Sequence, residues 1–150
     1  MTSPAGAAMC AFIPPFLRYL RDGLADENLS PARFQVLQVL AGGNELTMVG
    51  LADALCVTKR NVTALIDGLE KEDLVVRRAH PTDRRSKIIS LSKRGERRFT
   101  EVAKVQQAHL EKLTAGLDPS QQQVLVDYLS QLTQAMLNQA DELDPPHQEL

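Results

Sequence analysis

The stretch Leu74-Val-Val-Arg-Arg-Ala-His-Pro-Thr-Asp-Arg-Arg-Ser-Lys-Ile-Ile-Ser-Leu91 sets two short apolar runs around a basic tip. Leu74, Val75 and Val76 form the first run, and Ile88, Ile89 and Leu91 the second. Between them stand Arg77, Arg78, His80, Pro81, Thr82, Asp83, Arg84, Arg85, Ser86 and Lys87. Aliphatic runs separated by a polar, Pro-containing turn predict a β-hairpin. Directly upstream, Val57-Thr-Lys-Arg-Asn-Val-Thr-Ala-Leu-Ile-Asp-Gly-Leu-Glu70 places Val62, Leu65, Ile66 and Leu69 on one helical face behind a polar head. A polar-headed short helix followed by a basic hairpin is the pattern of a winged helix-turn-helix, in which the helix enters a DNA groove and the hairpin is the wing.

Composition agrees once charge is read locally. The chain of 150 residues is long enough for one ordinary core and carries a net charge of -2. Between Lys59 and Arg98, however, stand 12 Lys or Arg against 6 Asp or Glu, leaving 5 basic and 13 acidic residues elsewhere. That segment is therefore +6 and the remainder -8, and a polyanion responds to the local field. Cys10 and Cys56 are too few for a disulfide framework, and no Cys/His spacing resembles a zinc site, so no metal and no cofactor is expected. The N-terminus lacks a basic signal region and no run nears the ~20 apolar residues of a membrane span, so a cytoplasmic location and no membrane partner are expected.

Along the chain, residues 1–14 read as a flexible N-terminal segment, with the first helix starting near Pro15 because Pro suits the first helical position. Ser30-Pro31 caps a second helix that ends at Gly42-Gly43. Thr47 caps a third, and Thr58 caps a fourth after only Cys56 and Val57, the tight turn of a helix-turn-helix. After the hairpin, Ser92 opens a long helix stopped by Gly116. Asp118-Pro119-Ser120-Gln121 has the N-cap, N1 Pro and N3 Gln of a capping box and opens a last helix. Asp144-Pro145-Pro146 ends the order, and 141–150 reads as a flexible tail.

Groove reading needs short polar side chains for base edges and cations for phosphates. Thr58, Lys59, Arg60, Asn61 and Thr63 supply these on the helix, and Arg84, Arg85 and Lys87 on the wing. Asp83 would repel phosphates, so its expected work is structural, pairing with an arginine or capping the turn. Arg84 and Arg85 are adjacent and, in an extended tip, point to opposite sides. His80, His109 and His147 are scattered, and no nucleophile, phosphate-loop or metal spacing suggests an enzyme; His109 is expected to pack or hydrogen-bond.

Asp83-Arg-Arg-Ser-Lys-Ile-Ile-Ser-Leu-Ser92 resembles the signature of the MarR family of bacterial transcriptional regulators, an Asp-x-Arg followed by a hydrophobic strand and a Leu-Ser entering the next helix. Leu69-Glu-Lys-Glu-Asp-Leu-Val-Val-Arg-Arg78 and Ser30-Pro-Ala-Arg-Phe-Gln-Val-Leu37 are similar to the family's link from recognition helix to wing and to the start of its second helix. The resemblance runs from Phe16 to Met136. It implies an obligate homodimer, joined by its first and last helices, on a pseudo-palindromic duplex, usually released by a small ligand or an oxidant. The expected fold is thus mainly α with a small β-hairpin. Residues 15–140 form the winged helix-turn-helix with its dimerisation helices, 30–91 binding DNA and 15–29 and 92–140 joining the dimer. Two departures stand out: Ala64 where the family often has an arginine, and Pro14-Pro15 in its first helix.

The expected function is repression released by a small aromatic or phenolic ligand. Phe12, Phe16, Tyr19 and Phe34 could line an effector pocket with Arg18 or Arg21 facing a carboxylate, and the same aromatics serve equally as core. Alternatives are oxidant sensing through Cys10, which lies near the position of a reactive cysteine in a peroxide-sensing branch of the family, and a winged-helix module that binds protein. Cys56, between Leu55 and Val57, reads as a small buried hydrophobe.

Overall fold

The computed structural model describes residues 3–143. In order it contains α1 (Pro4–Asp22), α2 (Pro31–Leu40), β1 (Leu46–Thr47), α3 (Met48–Leu55), α4 (Lys59–Lys71), β2 (Val75–Ala79), β3 (Lys87–Leu91), α5 (Lys93–Thr114) and α6 (Pro119–Leu143), with 3-10 turns at Ala25–Glu27 and Ala41–Gly43. The strands form one antiparallel sheet in the order β1-β3-β2. The chain divides into two units, one through His109 and one from Leu110.

Every one of these α-helices opens on a side-chain cap. Ser3, Ser30, Thr47, Thr58 and Ser92 accept from the amides of Gly6, Arg33, Gly50, Asn61 and Gly95 at 2.9–3.3 Å. Asp118 and Gln121 cap reciprocally, each side chain taking the other's amide at 3.0 Å. Each such cap satisfies an amide that the helix cannot, worth about 1 kcal/mol. The caps at Ser30, Thr47, Thr58, Ser92 and Asp118 stand where the sequence places them.

The first cap does not. Ser3 with Pro4 at N1 starts α1, so residues 4–14 belong to the helix and not to a flexible lead, and Pro14 and Pro15 lie inside it. Proline ends a helix only where nothing outweighs the lost hydrogen bonds. Here the two prolines deny the carbonyls of Cys10 and Ala11 their i+4 amide donors, and the helix continues. At the other end α6 extends to Leu143, and the predicted end at Asp144-Pro145-Pro146 lies outside the described residues, as does His147.

In the first unit, Val36, Leu37 and Leu40 of α2, Leu51 of α3, Val62, Ile66 and Leu69 of α4, Ile89 of β3 and Val102 of α5 are fully buried together. Burying such side chains contributes about 1.5–3 kcal/mol each. The α4 stripe at i, i+4 and i+7 therefore orients that helix, turning Arg60, Asn61 and Thr63 away from it, while Lys59 is exposed at the helix's first position. Two residues of β1 were not expected as strand; they are too short to show a period, and pair as Leu46 with Ile89 and Thr47 with Ile88. Cys56 is exposed, contrary to the buried reading: it caps α3 in a left-handed conformation (φ 52°), which turns its side chain out of the core.

The junction of wing and α5 is close-fitted. Ser92 donates its amide to the Leu74 carbonyl at 3.1 Å and its hydroxyl to the Asp73 carbonyl at 2.6 Å, and a Cβ at Gly95 would overlap the Leu74 carbonyl oxygen. On the far side of α5, Tyr19 donates to the His109 carbonyl at 2.7 Å, His109 Nε2 donates to the Tyr19 carbonyl at 3.0 Å, and the two rings stack. Gly95→Ala should lower stability by about 1–3 kcal/mol through overpacking. Gly68→Ala, within α4 and with open space where its Cβ would stand, should raise it by up to about 1 kcal/mol. Chemical denaturation of both variants checks the pair, and equal effects of one sign would contradict the geometry.

Candidate nucleic-acid interface

The candidate contact residues sit on two neighbouring elements of the first unit. Thr58, Lys59, Arg60, Asn61 and Thr63 stand at the start of α4, and Arg84, Arg85 and Lys87 at the tip of the β2–β3 hairpin, all exposed. Thr58 Oγ1 is used as the cap, while Thr63 Oγ1 donates to the Lys59 carbonyl at 2.9 Å. Thr63 is thereby left with its methyl and lone pairs for a groove. Asn61 gives its backbone amide to the cap and keeps its carboxamide outward, able to donate and accept on one base edge.

Electrostatic pairing divides the basic residues. Arg77 on β2 reaches Asp67 and Glu70 of α4, the latter at 3.1 Å, and Arg78 pairs with Glu45 just before β1. Arg98 holds Glu27 at 2.9 Å. These acids neutralise three of the twelve cations in the basic segment, and two of them, Glu45 and Glu27, lie outside it in sequence. Among the described residues, Lys59, Arg60, Arg84, Arg85 and Lys87 show no ion pair, and neither do Lys71, Lys93, Arg94 and Arg97, so five of the nine uncompensated cations of the segment stand at the head of α4 and the wing tip. Sequence reading assigned no role to Asp67 and Glu70; acids on the exposed side of α4, facing a strand rich in arginine, were the available signal.

The tip is a turn, which changes one expectation and decides another. Arg84 and Arg85 occupy the turn itself, so strand alternation does not decide their directions. Asp83 Oδ1 accepts the backbone amide of Arg85 at 2.9 Å, while the Asp83 carbonyl accepts the Ser86 amide at 3.1 Å. Of the two structural roles open to Asp83, the geometry has it capping the turn through the Arg85 backbone.

The aromatic effector set is not brought together. Phe34 is buried and stacks on Phe99 with ring centres 5.8 Å apart, Tyr19 stacks on His109, and Phe12 stacks on Phe16 at 4.9 Å. None of the four lines the cavity of about 520 Å³ between α1 and the head of α2, whose walls include Leu17, Leu20 and Pro31 and whose polar groups include Arg18 and Arg21. Cys10 is exposed on α1. No helix of the described residues is long and apolar enough to cross a membrane.

Helix-turn-helix and hairpin wing together define a winged helix-turn-helix protein. Residues 27–86 match the sequence profile of the MarR family. The chain is similar to the HTH-type transcriptional regulator FarR of Neisseria gonorrhoeae, 25% identical over 109 residues that cover 73% of this chain and 75% of FarR. Its fold resembles the transcriptional repressor CouR bound to a 23-mer DNA duplex, with a TM-score of 0.76 and 26% identity over 87% of this chain and 92% of that one. It also resembles NadR in complex with 4-hydroxyphenylacetate, with a TM-score of 0.69 and 22% identity over 87% of this chain and 92% of the other.

Asp83→Ala should leave the fold intact and accelerate hydrogen exchange at the Arg85 amide, which loses its acceptor. Exchange at Leu69, in the buried stripe of α4, should be unchanged. An Arg85 amide that is equally protected in the variant would show that the carboxylate does not hold the turn.

Proposed function

We propose that the protein is a sequence-specific DNA-binding transcriptional repressor that acts as a homodimer and is released by a small aromatic acid. The observation that carries the DNA reading is the gathering of uncompensated cations and short polar side chains on the head of α4 and the wing tip, while neighbouring arginines are neutralised within the fold. In this reading α4 enters the major groove. Lys59 and Arg60 hold phosphates, Asn61 reads a base edge, and Thr58 and Thr63 frame the contact. Arg84, Arg85 and Lys87 reach the minor groove and backbone, where a narrow groove favours guanidinium. The complex of CouR with a DNA duplex supports this reading by fold.

Dimerisation follows from apolar surface that each unit leaves uncovered. On α1, Phe12 and Leu17 are 56% and 58% exposed, and on α6 Leu129 and Met136 are 52% and 59% exposed. Faces of this kind cost free energy in water unless a second copy covers them. The effector is assigned to the cavity beside Arg18 and Arg21, whose guanidiniums suit a carboxylate while Leu17 and Leu20 suit a ring. The 4-hydroxyphenylacetate complex of NadR supports an acid of this class.

Light scattering should give twice the chain mass of 16.6 kDa, and a monomer at micromolar concentration would remove the dimer from the proposal. Against an operator selected from the DNA upstream of its own gene, Asn61→Ala should relax base preference, whereas Lys59→Ala should lower affinity for all duplexes and reduce the salt slope by about 1. Arg84→Ala/Arg85→Ala should weaken operator binding roughly ten-fold or more, since each groove contact is worth about 1–3 kcal/mol. The thermal midpoint should stay in place; collapsed stability would instead make these arginines part of the hairpin's own structure.

A further inference from the structure

The wing tip is organised around one imidazole. His80 Nδ1 lies 3.1 Å from the Asp83 amide, 3.3 Å from the Thr82 amide and 3.4 Å from Thr82 Oγ1. An amide N–H only donates, so Nδ1 must present its lone pair, and the ring proton of the neutral imidazole is on Nε2. The His80 amide meanwhile donates to the Ser86 carbonyl at 3.4 Å, closing the loop. His80 therefore anchors residues 82 and 83, Asp83 anchors the Arg85 amide, and the Asp83 carbonyl takes Ser86. Arg84 and Arg85 sit at the end of this chain of caps.

We propose that His80 is the positioning residue for the wing's DNA contact and acts only with its ring neutral, so that protonation releases the Arg84–Arg85 turn and erodes sequence-specific binding. The inference rests on the DNA-binding reading above. A proton on Nδ1 would put a donor against two amide donors, so both amide caps are lost even though Thr82 Oγ1, at 3.4 Å, can turn to accept. The charged groups nearest the imidazole along the hairpin are Asp83, Arg84 and Arg85 in the loop, Arg78 in β2 and Lys87 at the start of β3. Asp83 Oδ1 accepts the Arg85 amide and Arg78 pairs with Glu45. The added positive charge attracts any duplex alike, whereas the lost turn affects only contacts that depend on where the arginines point. Acidification should thus lower the ratio of specific to non-specific affinity while leaving non-specific binding as strong or stronger.

The test uses the full chain, its His80→Asn variant and its His80→Ala variant. Asparagine offers a non-titrating acceptor near the position of Nδ1, and alanine offers none. Affinity for a duplex selected from a randomised pool at about pH 8 is compared with that for an unselected duplex, at about pH 8 and at about pH 5.5, across the range in which histidine titrates. The specificity ratio of the parent chain should fall several-fold on acidification, that of His80→Asn should hold, and that of His80→Ala should be low at both values. A parent ratio that falls no further than that of His80→Asn overturns the proposal. Nitrogen NMR of the parent provides a second readout that does not involve DNA. The neutral ring should carry its proton on Nε2, and the Thr82 and Asp83 amides should shift together with its titration. A proton on Nδ1 at about pH 8 overturns the proposal directly. If neither parent nor His80→Asn binds any duplex, the DNA reading is what fails, and the NMR result decides the role of His80 in the turn.

Discussion

The close approach of Gly95 to the Leu74 carbonyl is the constraint on which the winged helix-turn-helix depends. At that point the end of α4, both strands of the wing and the start of α5 meet within one hydrogen-bond network centred on Ser92. Ser92 caps α5 with its hydroxyl oxygen while holding the Asp73 and Leu74 carbonyls with its two donors. Because β2 begins at Val75 and β3 ends at Leu91, this knot sets the pairing of Val75 with Leu91, and the rest of the register follows to Ala79 opposite Lys87. A one-residue slip would turn Ile89 out of the core, so burial and the knot enforce the same register. The wing tip thereby inherits its position from its base.

Charge is distributed by the same logic. Arg77 and Arg78 lie along the body of the wing, where they tie β2 to α4 and to the segment before β1. Exposed ion pairs of this kind contribute little stability each, and their larger effect is to remove cations from the outward field. Five of the nine cations left unpaired in the segment stand at the head of α4 and the wing tip. Asp83 fits this division, since its carboxylate is occupied by a backbone amide and adds order to the tip.

The first helix shows how local rules yield to context. Pro14 and Pro15 each remove an intrahelical hydrogen bond, yet α1 spans Pro4–Asp22, capped at one end by Ser3 and tied near the other by the reciprocal bonds of Tyr19 and His109. Its apolar face is largely uncovered in the single chain, as is that of α6. In the proposed homodimer this surface is what the second copy would cover.

Much of the architecture was legible because it rests on short-range chemistry. A Ser, Thr or Asp ahead of an amphipathic run marks a helix start wherever it occurs, and five of the six caps could be read in this way; the sixth, Ser3-Pro4, carries the same signal as Ser30-Pro31 but was overshadowed by the prolines that follow. The outward head of α4 and the basic hairpin were equally legible, since burying Val62, Ile66 and Leu69 leaves Arg60 and Asn61 no other direction and Lys59 stands at the helix's open end. Other features needed the folded chain. The separation of paired from unpaired arginines requires Glu45 and Asp67 to meet β2, contacts that no spacing announces. The dispersal of Phe12, Tyr19 and Phe34 reflects which helix each one meets, and the conformation of Cys56 reflects a turn only two residues long. The His80 caps arise because closing the hairpin in this register brings two amides onto one lone pair. Sequence alone determined the elements and their faces, since capping and periodicity act within a few residues; tertiary structure decided which charges remain free and how the tip is held, since those depend on partners brought together only by folding.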